Sequence, residues 1–523
     1  MRLMGSVRLR VGATVVVVAA AAVGGWMLLP SDDDLGAAIK VGTTDKSTSL
    51  DPAYAYDAGS WALYSNVFQS LMTLKTGSVT PTPDAAKQCG FVGQKLTTYQ
   101  CELRTDLVFS NGRKVTPEDV KFSFDRILRN GNDVGPRSLL GTLKSVTVSG
   151  QKITFNLTSG DSTFPFKVAS GAGSIVDSTK YSATAARKDA AVDGSGPYTM
   201  SSYVNGKLAQ LVPNATYKGA VTKAGRPVEV KYYKEAEDLQ AAWEAKEIDL
   251  THRQLPPEML SKLKPGAENV RISEVDATET RNMVFNVRDK SKFKNADVRR
   301  AVSYLIDRPK LAQDVYFNTV EPLYDTIPKG IIGHSTPFFD LVSKPEAGLA
   351  KAKEVLDSAG VRTPVNFTLG YALGGATRPE AQLLKKQLES SKLFTVKLVE
   401  EEDWEVFQKG YKSGKYDAYN VGWVADFPDP DNYSQPLVGK NNSNASEYSN
   451  PKIEALISRT QASSDRGSTV DDFKKMQKIV ADDVPLIPLW QTKDYVLSNG
   501  KVGGSEYLSD GTGIWRLWEL NWL

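Results

Sequence analysis

The spacing of apolar and polar positions changes several times along this chain. Residues 96–112, LTTYQCELRTDLVFSNG, alternate and are rich in β-formers, which predicts strand structure ending in the turn Asn111-Gly112. The following VTPEDVKFSFDRIL switches to helical spacing, with Val120, Phe124, Ile127 and Leu128 on one stripe. Thr116 suits the N-cap, Pro117 the first helical position, and Glu118 and Asp119 the positive end of the helix dipole. SVTVSGQKITFNL, 145–157, predicts a hairpin turning at Ser149-Gly150, and the small polar residues 182–193 predict a loop. In the second half the two periods alternate. NMVFNV, 282–287, predicts a strand, and NADVRRAVSYLIDR, 295–308, a helix with Val298, Ala301, Val302 and Leu305 on one face. AGLAKAKEVLDSAG, 347–360, predicts a helix stopped by Gly360. The strand FTLGYA, 367–372, the helix RPEAQLLKKQLES, the strand FTVKLVEEE and the helix EDWEVFQKGYKSG follow. This alternation predicts an α/β fold.

One segment fits neither period. Arg2, Arg8 and Arg10 precede VGATVVVVAAAAVGGWMLL, residues 11–29, and Pro30 and Asp32, Asp33 and Asp34 follow it. At ~1.5 Å per residue that run is just long enough to span a bilayer. The basic end is expected to stay inside while the rest crosses. Residues 1–36 therefore read either as a membrane anchor or as a cleaved signal peptide, with the cut near residues 20–25. Both readings export the chain. Cys89 and Cys101 are its two cysteines, and in an exported protein such a pair is expected to form a disulfide.

Composition then narrows the choice. With 523 residues and 41% apolar content the chain can bury a large core. Single cores stop growing near ~250–300 residues, so at least two lobes are expected. The formal charge of +3 is spread without a Lys/Arg block, which argues against a nucleic-acid partner. Enzyme signatures are sparse: the two histidines, His252 and His334, cannot form HExxH, and GxSxG does not occur. GYKSGK, 410–415, falls short of a phosphate loop, and no cofactor is implied.

The richest stretch is GWVADFPDPDNY, 422–433. Trp423 offers a flat apolar face and Asp426 a negative charge, a combination suited to an ammonium group with an apolar neighbour. Pro428 and Pro430 would stiffen the loop. The same residues also fit a core tryptophan followed by a turn, and the acids of DFPDPD leave open an extracellular hydrolase using carboxylates between Asp426 and Asp431.

Several segments in order resemble the large extracellular solute-binding proteins of bacterial ABC importers, the oligopeptide- and dipeptide-binding family. They are LDPAYA (50–55), LRTDLVFSNGRKVTPEDVKFSFDRIL (103–128), GSGPY (194–198), LVPNATYKG (211–219), AAWEAKEIDL (241–250), NADVRRAVSYLIDR and GWVADFPDPDNY. The resemblance implies a two-lobed periplasmic-binding-protein-like α/β fold that encloses ligand at a hinge. The first lobe would comprise residues 37–70, 188–279 and 488–523, with 71–187 an inserted subdomain and 280–487 the second lobe. The hinge would cross near 276–282 and 484–491. It implies a monomeric carrier without chemistry of its own, delivering peptides to a membrane permease and its ATPase subunits. Non-peptide solutes such as metal complexes, haem, sugars or antibiotics are the alternative. By the same resemblance Asp426 holds a peptide ammonium, Trp423 and Trp404 line that site, Val424 contributes backbone, and Tyr56 and Ala58 meet the ligand from the first lobe. Where some relatives carry basic residues this chain has Tyr411 and Asn420, so Arg378 becomes the candidate for a ligand carboxylate. A lipobox cysteine is missing near residues 20–36.

Overall fold

The β-rich segments of both halves join one continuous sheet. Its order is Phe394–Glu401, Val365–Ala372, Ala418–Trp423, Arg271–Phe285, Leu486–Ser498, Leu250–His252, Ile39–Thr43, Val228–Tyr232, Leu208–Pro213 and Tyr198–Val204, with Val320–Pro322 paired to Leu486–Ser498. This computed structural model describes residues 36–523 except 131–134, 222–223, 254, 264–269, 342–344 and 510. The expected anchor or signal within residues 1–36 lies outside the described residues, Gly36 excepted. No helix among the described residues is long and apolar enough to cross a membrane.

Each half of the sheet has a parallel centre. In the first, Ile39–Thr43 runs parallel to Val228–Tyr232 and Leu250–His252. In the second, Val365–Ala372 runs parallel to Phe394–Glu401 and Ala418–Trp423. Two long antiparallel strands, Arg271–Phe285 and Leu486–Ser498, belong to both halves. Their register shifts between Asp276 and Thr280 and again between Arg281 and Asn282. A bulge bends its strand and raises its local twist, so the ladder is irregular where the two strands pass between the halves. The expected short strand 282–287 is thus the end of a 15-residue crossing strand.

Two large apolar clusters correspond to the lobes. One is built chiefly from residues between Ile39 and Leu250 with Val496–Leu520, the other from residues between Met283 and Trp490. The inserted segment forms an antiparallel sheet ordered Ala86–Phe91, Thr98–Leu103, Lys152–Leu157, Leu143–Ser149. Its apolar side joins the first cluster through Tyr99, Cys101, Ile153 and Phe155. Helix Pro117–Arg129 covers it, with Val120, Phe124 and Ile127 buried and Leu128 half-buried. Cys89 and Cys101 are register partners on adjacent strands and are joined by a disulfide.

One helix is shorter than its pattern suggests. The expected helix 295–308 ends at Leu305, and Arg308–Asp314 starts anew. Pro309 is the cause, since it cannot donate to a continuing helix. Asp307 instead caps the second helix by accepting from the Lys310 amide at 2.9 Å.

Candidate functional site

In open α/β sheets ligands gather beyond the carboxyl ends of parallel strands. Here those ends point to one place from both lobes. Arg253 and Leu255 follow strand Leu250–His252; Gly374, Gly375, Ala376 and Thr377 follow Val365–Ala372; Val424 follows Ala418–Trp423. All of them line one cavity of about 170 Å³. The crossing strands supply its floor through Glu279, Arg281, Trp490 and Asp494. The loop residues Tyr316 and Thr512 also line it.

The floor is densely charged and mostly paired. Arg253 bridges Asp45 at 3.3 Å and Glu279 at 2.6 Å. His252 Nε2 lies 2.9 Å from Asp494 Oδ2. Burial pushes the Asp494 carboxyl up, but His252 and Arg253 hold it below the usual range. Burial also raises Glu279, against the pull of Arg253. Arg281 Nε donates to Glu380 Oε1 at 3.0 Å. Glu380 is fully buried and also accepts from Asn420 Nδ2 at 3.1 Å, Tyr316 Oη at 2.7 Å and Trp490 Nε1 at 2.8 Å.

A second cluster adjoins the cavity through residues 423–426. Tyr56 Oη donates to Asp426 Oδ2 at 2.8 Å, and Asn432 Nδ2 donates to the same oxygen at 2.9 Å. Asn432 Oδ1 accepts from the Asp426 amide at 2.9 Å and from Trp423 Nε1 at 3.2 Å. Tyr56 and Trp423 meet edge to face, ring centres 6.5 Å apart. Asp426 is 6% exposed. Its burial raises the carboxyl to about 6, against the lowering by its bonds to Asn432 and Tyr56 and by the Lys167 charge. Tyr56 is itself pushed well above the usual phenol range by burial and by Asp426.

Of the residues singled out in the sequence, Asp426, Trp423 and Tyr56 come together, and Val424 lines the cavity. Ala58 opens helix Ala58–Val67, half-buried behind its cap Asp57. Trp404 begins helix Trp404–Ser413, is 41% exposed and rests on Phe407. Arg378 stands on the outer rim in a bidentate pair with Glu400, at 2.7 and 2.6 Å, and does not line the cavity. Tyr411 stacks on Tyr419.

Sequence reasoning missed Arg253, Glu279, Arg281, Glu380, Trp490 and Asp494. One signal was available. Glu380 stands one helical turn before buried Leu384 and two before buried Leu388, so a carboxylate occupies the apolar face. The crossing-strand residues carry no such signal, because both faces of that ladder are lined by other elements.

The prolines of GWVADFPDPDNY hold a different pair of acids. Asp429 caps the short helix Pro430–Tyr433. It accepts from Arg466 Nη2 and Nε at 2.7 and 2.9 Å, and Asp431 accepts from Arg466 Nη2 at 3.0 Å. Asp431 also accepts from Thr460.

The sequence model of bacterial extracellular solute-binding proteins, family 5 Middle, matches residues 80–445. The "Probable D,D-dipeptide-binding periplasmic protein DdpA" of Escherichia coli (strain K12) is 27% identical over 480 residues, covering 88% of this chain and 89% of that protein. "Heme-binding protein A" of Haemophilus influenzae is 25% identical over 485 residues, covering 86% and 85%. Among solved structures, the ABC transporter-associated periplasmic binding protein DppA from Helicobacter pylori, in complex with peptide STSA, shares the fold with a TM-score of 0.82 at 20% identity. That match covers 93% of this chain and 98% of the other. With a two-lobed α/β architecture, a cavity between the lobes and most of its length matched, the chain belongs to the bacterial extracellular solute-binding proteins of family 5.

Proposed function

We propose that this protein is the extracellular capture component of an ABC importer, and that it encloses a small peptide between its lobes for delivery to a membrane permease. The carrying observation is the cavity at the carboxyl ends of both lobes' parallel strands, floored by the two strands that join the lobes. A solute held there touches both lobes and the hinge, so it stabilises one interlobe arrangement, and a permease can read that arrangement. In this reading the first lobe comprises 37–70, 188–279 and 488–523 and the second 280–487, with 71–187 inserted in the first.

In this reading Asp426 pairs with the peptide ammonium. Tyr56 and Asn432 both use Oδ2, and Oδ1 accepts no hydrogen bond among the described residues. Trp423 screens the pair from water. Of the acids that the hydrolase reading would use, Asp429 and Asp431 are both engaged by Arg466. The protein then acts by binding alone, as a monomer anchored or secreted outside the membrane.

Mass spectrometry of solute released from protein purified under native conditions tests the reading. Dipeptides or short peptides are the expected species, and a haem, sugar or metal complex as the sole bound solute would replace peptide as the ligand class. Intact-mass analysis of the native protein separates the two export readings: a mature N-terminus between residues 20 and 36 rejects the anchor.

A further inference from the structure

The seam on the far side of the cavity from the crossing strands buries more acids than bases. The second lobe brings Asp426, Asp429, Asp431 and Arg466 to it, and the inserted subdomain brings Asp161 and Lys167. All four acids are buried. With every group ionised, they outnumber the two cations by two. On the subdomain side the charges balance: Lys167 Nζ donates to Asp161 Oδ2 at 2.7 Å, and Thr142 and Thr163 donate to the same carboxylate at 2.6 and 2.7 Å. On the second lobe they do not. Arg466 Nη2 is shared between Asp429 and Asp431, at 2.7 and 3.0 Å. Asp426 forms no ion pair among the described residues and accepts from the neutral donors Tyr56 and Asn432.

Contact between the lobes is what crowds these charges. The Ser162 amide donates to the Gln461 carbonyl at 2.7 Å, and Arg466 Nη1 to Ser162 Oγ at 3.3 Å. At Gly160 a Cβ would stand 3.3 Å from the Ala462 Cα, so the subdomain loop lies against the end of helix Pro451–Gln461. Water is excluded, and charges of one lobe act on the other. Asp431 is raised to about 7, by burial first and then by Asp429, against Arg466 and Thr460, with Asp161 adding its repulsion across the seam. Burial raises Asp426 to about 6, while Lys167 pulls it down from the opposite side. Parting the lobes returns water to both carboxylates and withdraws Asp161, so each moves back toward the ~3.9 of an ordinary aspartate.

We propose that this seam is a proton-operated latch: closed lobes take up a proton from solvent at the Asp429–Asp431 pair, parted lobes release it, and acid therefore favours closure even without solute. The sign follows from linkage. The closed arrangement binds more protons than the parted one, so its advantage grows as pH falls through about 7 and levels off once the parted lobes bind the proton as well. Asp426 adds a second, lower uptake near 6. Tyr56 adds none, since burial and Asp426 push its phenol well above the usual range. The latch does not depend on which solute is carried. It also separates closure from capture. Below about 6 the Asp426 carboxylate is protonated, and the lobes then shut without the charge that an ammonium would need.

Small-angle scattering of the solute-free protein between pH ~5 and ~9, at fixed ionic strength, tests the proposal. In the wild type the radius of gyration should fall as pH drops through about 7, with the closed-to-parted ratio rising up to about tenfold per pH unit. Circular dichroism that stays constant over the range separates closure from unfolding. Asp431→Asn removes the repelling charge and keeps an oxygen for Thr460 and Arg466, so it should stay compact at alkaline pH and lose the step near 7. Asp429→Asn is measured beside it, because asparagine also caps the helix Pro430–Tyr433; it should lose the same step. Asp426→Asn should keep it. A wild-type radius that is equal on both sides of pH 7, or a step that persists in both the Asp429 and Asp431 variants, overturns the latch. Either result leaves solute capture standing, which is read separately as the change in radius when a dipeptide pool is added at fixed pH.

Discussion

Asp426 shows what one buried carboxylate costs the fold. Burial raises it to about 6, above the ~3.9 of an unperturbed aspartate. Between those values the folded chain binds more protons than the unfolded one. The group's contribution to stability therefore increases as pH falls through about 6 and is complete near pH ~4. Above pH 6 the buried ion is destabilising. Asp426→Asn should raise stability by ~1–3 kcal/mol near pH ~7.5 and by nothing near pH ~4, as read from urea titrations at both. Binding runs the other way. An ammonium needs the ionised carboxylate, so peptide affinity should fall roughly tenfold per pH unit below that titration point. Asp426→Ala should weaken peptide binding roughly 30-fold or more. N-acetylation of the peptide should cost the wild type a similar factor and the variant much less, which calorimetry on the four combinations measures. Equal losses would remove Asp426 as the ammonium site.

Helix Pro117–Arg129 illustrates how local signals and one distant residue share the work of placing an element. Its start is local: Thr116 and Asp119 form a reciprocal capping box, and Pro117 occupies the first position. Thr116→Ala should cost ~1 kcal/mol of folding stability by denaturant titration. Its position on the first lobe is not local. Arg126 forms a bidentate pair with Asp51 at 2.8 and 2.7 Å, both side chains essentially buried. Asp51 also accepts from the amides of Ala53 and Arg187, which pins the 182–193 loop to the same point. Asp51→Ala leaves the guanidinium buried without its acid and should cost ~3–5 kcal/mol, well beyond the cap. The Cys89–Cys101 link lies across a ladder already paired, and closes a loop of sequence separation 12. A loop of that size gives about 3 kcal/mol in the chain-entropy model. Thiol counting on unreduced, denatured protein should find no free thiol.

At the scale of the molecule, the lobes meet on both sides of the cavity. On one side are the two crossing strands. On the other, Phe166 of the inserted subdomain stacks on Phe427, ring centres 5.3 Å apart, and the Ser162 amide donates to the Gln461 carbonyl at 2.7 Å. Tyr56 reaches Asp426 across the same seam. Arg466 is its keystone, holding Asp429 and Asp431 on its own lobe and reaching Ser162 Oγ at 3.3 Å on the other. Arg466→Ala leaves two buried acids facing each other without a cation, which should destabilise by ~3–5 kcal/mol. It should also shift the lobes toward an open arrangement, seen by small-angle scattering as a larger radius of gyration at equal protein concentration. An unchanged radius would mean that the seam does not govern closure.

By itself, the sequence determined what depends on neighbours in the chain. Helix caps such as Thr116 and glycine stops such as Gly360 and Gly414 were legible, because capping and φ > 0 are satisfied within a few residues. The α/β class followed from the alternating periods, and the ammonium candidate from the proximity of Trp423 and Asp426. What only the tertiary structure decided depends on partners distant in sequence. Arg378 carries the right charge at a strand-to-helix turn, yet Glu400 on the adjacent strand holds it at the rim. Arg281, unremarkable in RNMVFNV, reaches the cavity because the crossing strand lays it against Glu380, 99 residues away. Asp429 and Asp431 looked like free acids until Arg466 closed on them from 35–37 residues downstream. A charge is worth little as a clue until its counter-charge is known, and pairing across a sheet is set by register and topology, which local pattern does not encode.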